Sequence, residues 1–259
     1  MRIDVLTIFP EFFDAVFDFG IIRRAKLAGI VEINVHDIRT YATDKHKMVD
    51  DRPFGGGDGM VLKPEPIFAA IENILGTSDR EAYPQGTRVM LLSPQGRQLK
   101  QPIAREFADG AEHLVIICGR YEGVDERVNE TLVTDEVSIG DYVLSGGEPA
   151  AIVVVDSIVR LLPGALGSET SAENDSFEAG LLDCPHYTRP VSHEFGEVPA
   201  VLLSGDHAAI NRWRRMQALG RTWLRRPELL ENMTLDDNDQ RLLEEFKQEH
   251  KGHTHEQDH

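Results

Sequence analysis

The sequence is poor in cysteine and in aromatic residues, and it contains no long apolar run. Its two cysteines, Cys118 and Cys184, lack metal-ligand spacing, which excludes a disulfide framework and favours free thiols in a reducing compartment. The longest apolar stretches, Leu114–Cys118 and Ala150–Val155, are much shorter than the roughly 20 residues that cross a bilayer. The N-terminal apolar run carries Asp4 and does not resemble a signal peptide. These absences predict a cytoplasmic protein without a membrane span.

The sequence also lacks the excess of positive charge that is typical of nucleic-acid-binding proteins. It has 27 Lys and Arg residues against 44 Asp and Glu residues, a formal net charge of −17. This argues against a nucleic-acid partner, because an acidic surface repels phosphates. The charge is uneven, however: residues 227–259 hold ten acids and three bases, whereas Arg212–Arg226 holds six arginines and no acid. One local basic surface on an acidic protein is therefore expected.

The first 160 or so residues alternate between short β-type runs and helical stretches, which predicts an α/β fold with a mostly parallel sheet covered by helices. The predicted strands are Ile3–Phe9, Ile30–Val35, Arg88–Leu92, Leu114–Cys118 and Val137–Ile139. The predicted helices are Glu11–Ala28, Pro64–Leu75, Gln98–Ala108, Val124–Leu132 and Glu148–Leu162. Ligands of such sheets bind beyond the carboxyl ends of the strands. We therefore expect a ligand cleft where glycine-bearing loops follow strands, at 93–96, 119–123 and 140–147.

The pattern changes after residue 162, which predicts a second domain. Residues 163–182 are rich in glycine, serine and acids and read as a flexible linker. Residues 183–250 contain two helical stretches, Ser204–Arg226 and Thr234–His250, and predict a small helical domain. Residues 251–259 read as a disordered polar tail. The predicted organisation is thus a first domain over 1–162, a linker, a helical domain and a tail.

Two glycine-bearing segments can bind a ligand or form turns. Asp50–Met60 (DDRPFGGGDGM) matches neither a phosphate loop nor the dinucleotide fingerprint, and a tight surface turn is the alternative interpretation. Ser138–Glu148 (SIGDYVLSGGE) can hold an adenine between main-chain groups and the apolar side chains of its middle, or it can be a β-hairpin turn.

Several charged residues at the ends of strands and helices also allow two interpretations, one functional and one structural. Glu122 can accept hydrogen bonds from the N–H groups of a guanine, or it can form a surface ion pair with Arg120. Arg160 can neutralise charge on an oxygen, or it can pair with the dipole of its own helix. Asp175 can act as a general base, or it can be merely solvated. The arginines of Arg212–Arg226 form either a phosphate-binding surface or a solvated helix face with the tryptophans in the core.

Several segments together resemble one family, the bacterial tRNA (guanine-37-N1)-methyltransferases of the SPOUT class. The matching stretches are VDDRPFGGGDGM (49–60), LSPQGR (92–97), CGRYEGVDERV (118–128), SIGDYVLSGGE (138–148), DSIVRLLPGALG (156–167), ENDSFEAGLLDCPHYTRP (173–190) and LGRTWLRRPELL (219–230). They follow the family's order and cover most of the chain. The resemblance implies a SPOUT-type parallel sheet with a C-terminal trefoil knot in the first domain, 1–162, which would bind S-adenosylmethionine. It also implies that the small all-helical domain, 183–250, would bind tRNA.

The resemblance also implies a set of site residues. Catalysis would fall to Asp175 as the general base and to Arg160 as the partner of guanine O6. The S-adenosylmethionine pocket would comprise Ser93, Pro94, Gly119, Gly123, Ile139, Gly140, Asp141, Tyr142, Val143, Leu144, Gly146 and Gly147. Substrate contacts would come from Glu122, Asp50, Gly59, Ser171 and His186, and the arginine-rich stretch adds Arg212 and Arg215 as predicted contacts.

The implied reaction is methyl transfer from S-adenosylmethionine to N1 of guanine 37 in the tRNA anticodon loop. The implied partners are the anticodon arm of tRNA and a second copy of the chain, in a homodimer with a shared active site. The family also suggests a dependence on Mg²⁺, although the sequence shows no metal-ligand cluster. A non-catalytic RNA-binding module remains the alternative function.

Overall fold

A five-stranded parallel sheet forms the centre of the N-terminal part of the chain. The computed structural model describes residues 1–167 and 175–256, with side chains as far as Lys251. Its first elements are β1 (Arg2–Thr7), α1 (Gly20–Leu27), β2 (Glu32–Asp37), β3 (Asp50–Asp51), β4 (Val61–Leu62), α2 (Pro64–Leu75), β5 (Thr87–Gln98), α3 (Gln101–Gly110), β6 (His113–Cys118), α4 (Glu126–Leu132), β7 (Asp135–Ser138) and α5 (Glu148–Val159). The strand order is β2-β1-β6-β5-β7, and every neighbouring pair is parallel. The predicted α/β class with a parallel sheet is confirmed.

Helices cover both faces of this sheet, which explains why its central strand is a continuous apolar run. In β6, all residues from Leu114 to Cys118 are fully buried. On one face, α2 and α4 contribute Ile67, Ile71, Val128 and Leu132 to a core shared with the strands. On the other face, α5 packs against α1 and α3.

The helix predicted over Glu11–Ala28 is wrong in its first half. The chain there forms two 3₁₀ turns, Pro10–Phe13 and Val16–Asp18, and only Gly20–Leu27 is α-helical. Gly20 has φ +58°, a left-handed conformation that ends any helix arriving from the preceding residues. The spacing of apolar residues correctly placed Phe13 and Phe17 in the core, but it did not reveal that the helix is interrupted before Gly20.

Strand β5 is longer than predicted and contains the segment expected to be a loop at 93–96. Its pairing with β7 shifts register between Leu92 and Arg97, which marks a bulge. Gly96 lies in this bulge, and a Cβ atom built there would be 2.3 Å from the backbone nitrogen of Val137. Only glycine permits this approach of the two strands.

The chain divides into two compact units, Met1–Glu169 and Thr170–His259. The second contains β8 (Ser192–His193), β9 (Gly196–Glu197), α6 (Ala200–Leu203), α7 (His207–Arg225), α8 (Pro227–Glu231) and α9 (Asp237–Glu256). The antiparallel β8–β9 pair departs from the all-helical expectation, because Gly196 at φ +141° lets the chain reverse there. Helix α9 also continues past 250, into the stretch predicted to be a tail.

Helices α7 and α9 enclose the core of the second unit. Its buried members include Met216, Leu219, Leu242 and Phe246, and both tryptophans pack against them. A Cβ on Gly220 would lie 2.2 Å from the ring of Phe246, so this glycine allows the two helices to approach closely. Within the described residues, no helix is long and apolar enough to cross a membrane.

A buried carboxylate joins three strand segments at the amino end of the sheet. Asp4 is fully buried and accepts hydrogen bonds from His36 Nε2 (2.6 Å), His113 Nε2 (2.6 Å) and Arg2 Nε (2.7 Å). Burial by itself raises the pKa of Asp4, but these hydrogen bonds outweigh it, and the pKa lies well below its ordinary value. The ionised form is therefore the one that stabilises the fold.

Asp4→Asn should lower the free energy of unfolding at pH 7 by about 2 kcal/mol, because it removes charge-assisted hydrogen bonds from a buried site. A depressed folded-state pKa contributes stability above the unfolded-state pKa of about 3.9 and loses it as the pH falls further. Urea unfolding of both proteins between pH 7 and pH 3 tests this. The difference should shrink below about pH 4, and a pH-independent difference would contradict the assignment.

Candidate functional site

A cavity of about 360 Å³ lies at the carboxyl ends of β5, β6 and β7. This volume is within the range of small-molecule sites. Most of the residues predicted to bind the cofactor line it, as does Glu122 among the predicted substrate contacts. These lining residues are Ser93, Pro94, Gly119, Gly123, Ile139, Gly140, Tyr142, Val143, Leu144, Gly146 and Gly147. Asp141 is not among the described residues that line the cavity, although both of its neighbours are.

The segment 138–148 forms one wall of the cavity. It connects β7 to α5, so the alternative of a β-hairpin turn is wrong. Ser138 Oγ accepts a hydrogen bond from Gly140 N (3.2 Å), and the Tyr142 hydroxyl donates one to Ile139 O (3.3 Å). The side chain of Val143 is 86% exposed, so apolar surface in this wall is left open to a ligand or a partner.

The end of this wall packs directly against the end of β6. Gly147 N donates a hydrogen bond to Gly119 O (2.8 Å). A Cβ on Gly147 would lie 2.7 Å from Cys118 Cα, a backbone atom that cannot move without shifting the central strand. The glycine pair at 146–147 is therefore required by close approach.

Gly147→Ala should destabilise the first unit by about 1–3 kcal/mol, because a methyl group is forced against a packed backbone. Gly110→Ala is the matched control, since a Cβ there meets nothing within 4 Å and the residue has no positive φ. Urea unfolding of the two variants and the wild type measures the effect. Equal stability of Gly147→Ala and Gly110→Ala would show that the contact relaxes freely.

A buried ion pair supports the C-terminal end of the wall. Glu148 is fully buried and accepts hydrogen bonds from Arg120 Nε (2.9 Å) and Thr7 Oγ1 (2.7 Å). Arg120 Nη1 also donates to Ser145 O (3.0 Å), and its guanidinium lies over the ring of Phe9 at 4.6 Å. Arg120 thus ties the wall to the first strand. The alternative of an Arg120–Glu122 surface pair is wrong, because Arg120 is committed to Glu148.

Glu122 connects the cavity to the glycine-rich loop. Its backbone nitrogen donates to Met60 O (3.0 Å). Gly59, at φ +93°, approaches its side chain so closely that a Cβ would lie 2.6 Å from Glu122 Oε1. Asp50 pairs with Leu62 across β3 and β4. The predicted contacts Asp50 and Gly59 therefore belong to the segment that packs beside the cavity rim.

Sequence reasoning missed several residues that line the cavity. Tyr121 is the most informative, because it has φ +59°, a left-handed conformation that is uncommon for a non-glycine residue and frequent at functional sites. Gln95, Asn129 and Glu136 add polar groups to the lining. No spacing rule identifies these residues, since each comes from a different element.

Arg160 and Asp175 are not among the described residues that line this cavity. Arg160 follows the last turn of α5 in the first unit, where its backbone nitrogen donates to Asp156 O (3.3 Å). Asp175 lies in the second unit, at the start of a turn in which Glu178 N donates to its carbonyl oxygen (3.3 Å). Ser171 lies outside the described residues.

His186 belongs to a compact polar group in the second unit. Its Nε2 donates to Asp183 Oδ2 (2.8 Å), and the ligand-type atoms of Asp183, Cys184 and His186 lie within 4.8 Å of one another. The sequence analysis did not predict this group. A thiol and an imidazole do not fit Mg²⁺, which prefers oxygen ligands in an octahedral arrangement. No magnesium chemistry is therefore assigned to it. Both cysteines are free thiols and are buried.

The two arginines predicted to bind substrate form ion pairs within the second unit. Arg212 Nη1 donates to Glu245 Oε1 (3.0 Å), and Arg215 Nε donates to Asp239 Oδ1 (2.9 Å). Both acids belong to α9, whose negative charge is therefore used to hold α7. The role of Arg212 and Arg215 as substrate contacts stays a prediction, and any such contact would compete with these ion pairs.

The fold and the cavity define a class: a parallel α/β protein with a small-molecule site, built from glycine-bearing loops, at the carboxyl ends of its strands. Comparison with known proteins specifies the family. The family model described as "tRNA (Guanine-1)-methyltransferase TrmD" matches residues 1–232, and the chain belongs to this family.

Curated relatives carry the matching name tRNA (guanine-N(1)-)-methyltransferase. The chain is 55% identical to the protein of Chromohalobacter salexigens, over 95% of this chain and 92% of the relative. It is 52% identical to the protein of Dehalococcoides mccartyi, over 95% and 97%. It is 51% identical to that of Enterobacter sp. strain 638, over 100% and 99%. The resemblance noted from the motifs is thereby confirmed, and the chain is a member of an enzyme family of methyltransferases.

Proposed function

We propose that this protein transfers a methyl group from S-adenosylmethionine to N1 of guanine 37 in the anticodon loop of tRNA. The observation that carries the proposal is the convergence of the bulge of β5, the end of β6 and the segment 138–148 on one cavity. These are the segments on which the family resemblance depends. The relatives' names supply the tRNA and the guanine nitrogen.

The cavity fits an adenosine-containing methyl donor. Its walls combine the apolar side chains of Ile139, Tyr142 and Leu144 with backbone groups at Gly119 and Gly140, a mixture that suits a purine ring. When bound, S-adenosylmethionine supplies an electrophilic methyl group on a sulfonium. The task of the protein is then to orient the guanine and to remove the proton from its N1.

In this proposal, three side chains divide the chemistry. Asp175 accepts the N1 proton, Arg160 stabilises the negative charge that develops on O6, and Glu122 accepts a hydrogen bond at the guanine edge. The target base must leave its stack, which costs least in a single-stranded loop. The dependence on Mg²⁺ that the family suggests stays a prediction.

We further propose that the wall of the cavity forms the family's trefoil knot and that the enzyme is a cytoplasmic homodimer with a shared active site. The bridge between Arg120 and Gly146 supports the knot, since it holds segment 138–148 against the end of β6. Exposed apolar side chains on the first unit, Phe19 (69%), Leu27 (76%) and Val153 (44%), support a partner surface. Sedimentation equilibrium showing only monomer at micromolar concentration would reject the dimer.

The decisive experiment incubates the protein with methyl-labelled donor and unmodified tRNA, followed by nucleoside analysis. We expect label in 1-methylguanosine, lost when guanine 37 is replaced. The alternative, a non-catalytic RNA-binding module, leaves the cavity without a role. Calorimetry that detects no donor binding at high micromolar concentration would favour this alternative.

A further inference from the structure

A second cavity, of about 430 Å³, lies within the C-terminal unit. Segment 185–191 forms one side of it, and Leu202, Ile210 and Arg214 form another. Two arginines, Arg189 and Arg214, line it together with Tyr187 and His186. None of these residues lines the first cavity, so methyl-donor binding there does not account for this second cavity.

The arginines of this unit differ in whether they are available to a ligand. Arg212, Arg215 and Arg226 pair with the carboxylates of Glu245, Asp239 and Glu228. Arg189 and Arg214 are exposed and have no acidic partner in the described part of the chain. The unit is acidic overall, yet the positive charge at this cavity is left uncompensated. A cavity of this kind attracts an anion.

An aromatic face lies beside this charge. Tyr187 is 49% exposed, and its ring centroid is 6.3 Å from that of Trp213, which packs against the core. Tyr187 is thereby supported from behind while remaining open to solvent. A supported aromatic ring next to a phosphate-binding cation is the arrangement that binds unstacked RNA bases.

The nearby group of Asp183, Cys184 and His186 suggests a metal ion as a competing ligand. Two features of this group argue against it. Burial and Asp183 raise the pKa of the Cys184 thiol, which favours the neutral thiol over the thiolate that binds metals. The Asp183 carboxylate is also occupied by hydrogen bonds from His186 Nε2 and Cys184 N. A metal ion would therefore have to displace contacts that the protein already makes, whereas Arg189 and Arg214 are open to an anion.

We propose that this cavity binds one nucleotide of a single-stranded RNA segment, with its phosphate on Arg189 and Arg214 and its base against Tyr187. The inference rests on the proposed function, because tRNA is then the RNA concerned. It assigns the RNA contact to residues other than Arg212 and Arg215, on which the sequence motif had placed it.

The test compares neighbouring arginines on one helix. Arg214→Ala and Arg212→Ala change the net charge equally, but only Arg214 lines the cavity. Binding of unmodified tRNA is measured by fluorescence anisotropy between about 50 and 200 mM salt. Arg214→Ala should bind several-fold more weakly, with a salt slope smaller by about 0.7, the value for one phosphate of a single strand. Arg212→Ala should stay within about twofold of the wild type, since Glu245 already occupies its guanidinium.

A second pair of variants tests the aromatic face. Tyr187→Ala should weaken binding by about tenfold through loss of stacking, whereas Tyr187→Phe should retain wild-type affinity. Donor affinity, which depends on the first unit, should be unchanged in all four variants, and circular dichroism with urea unfolding reports that the second unit is folded. Arg214→Lys should restore part of the affinity and the salt slope.

The outcomes separate this inference from the proposed function. If the wild type methylates tRNA while Arg214→Ala and Tyr187→Ala bind it normally, the cavity assignment is overturned and the function stands. An equal loss of tRNA affinity in Arg212→Ala and Arg214→Ala overturns the cavity assignment as well, because the loss would then reflect the lower net positive charge and not a contact in the cavity. If the variants bind weakly as expected but the wild type does not methylate guanine 37, the RNA site stands and the proposed reaction falls.

Discussion

Asp175→Asn should bind S-adenosylmethionine and tRNA with wild-type affinity and lose turnover by about 10²–10⁴-fold. The reason is that N1 of guanine carries a proton at neutral pH, and methyl transfer to this nitrogen requires the proton to be removed. An amide has nearly the shape of the carboxylate but cannot accept the proton. Single-turnover assays with saturating tRNA measure the chemical step, and calorimetry measures donor affinity separately.

Two controls make this prediction specific to proton transfer. Glu194→Gln removes an exposed carboxylate from the same unit and should leave turnover within about threefold of the wild type, since surface substitutions have small effects. Arg160→Ala should reduce turnover by about 10²–10³-fold through loss of charge stabilisation at O6. If Asp175→Asn turns over at nearly the wild-type rate, another group removes the proton and the base assignment is wrong.

The fold was predictable from sequence where local signals were unambiguous. Helix α2 has the predicted bounds, because Pro64 suits the first turn and Gly76, at φ +78°, ends it. The apolar run of β6 identified a strand buried on both faces. Gly20 was not recognised as a break, since a glycine within an apolar helical pattern is ambiguous until its φ is known. The strand order was not available from periodicity at all.

The candidate cavity was predictable because loops after parallel strands meet at one edge of a sheet. The motifs did not reveal which charged residues stabilise the fold and which are available to a ligand. Arg120 and Glu122 are both charged residues of the same motif. Only Arg120 is held by a buried carboxylate, that of Glu148, which is distant in sequence. Arg212 and Arg215 are likewise held by acids of α9, a pairing that the arginine-rich stretch alone does not reveal.

Glu148→Ala should destabilise the first unit by about 3–5 kcal/mol, because it leaves the guanidinium of Arg120 without its buried partner. The side chains of Glu148 and Arg120 are 0% and 16% exposed, so solvent compensates for little of the loss. Glu65→Ala is the matched control, since Glu65 is also in the first turn of a helix but is exposed, and it should cost less than about 0.5 kcal/mol. Urea unfolding of both variants measures the difference, and a small effect for Glu148→Ala would mean that Arg120 finds another partner.

The double variant Arg120→Met with Glu148→Leu separates stability from donor binding. Replacing a buried ion pair by apolar residues of similar size often restores stability. The hydrogen bond from Arg120 Nη1 to Ser145 O is nevertheless lost, and with it the tie between β6 and the wall that ends at Gly146 and Gly147. We therefore expect near-normal unfolding together with donor affinity at least about tenfold weaker, a loss of about 1.4 kcal/mol. Recovery of both properties would show that packing alone positions the wall, whereas recovery of stability alone assigns Arg120 and Glu148 a positioning role in the donor site.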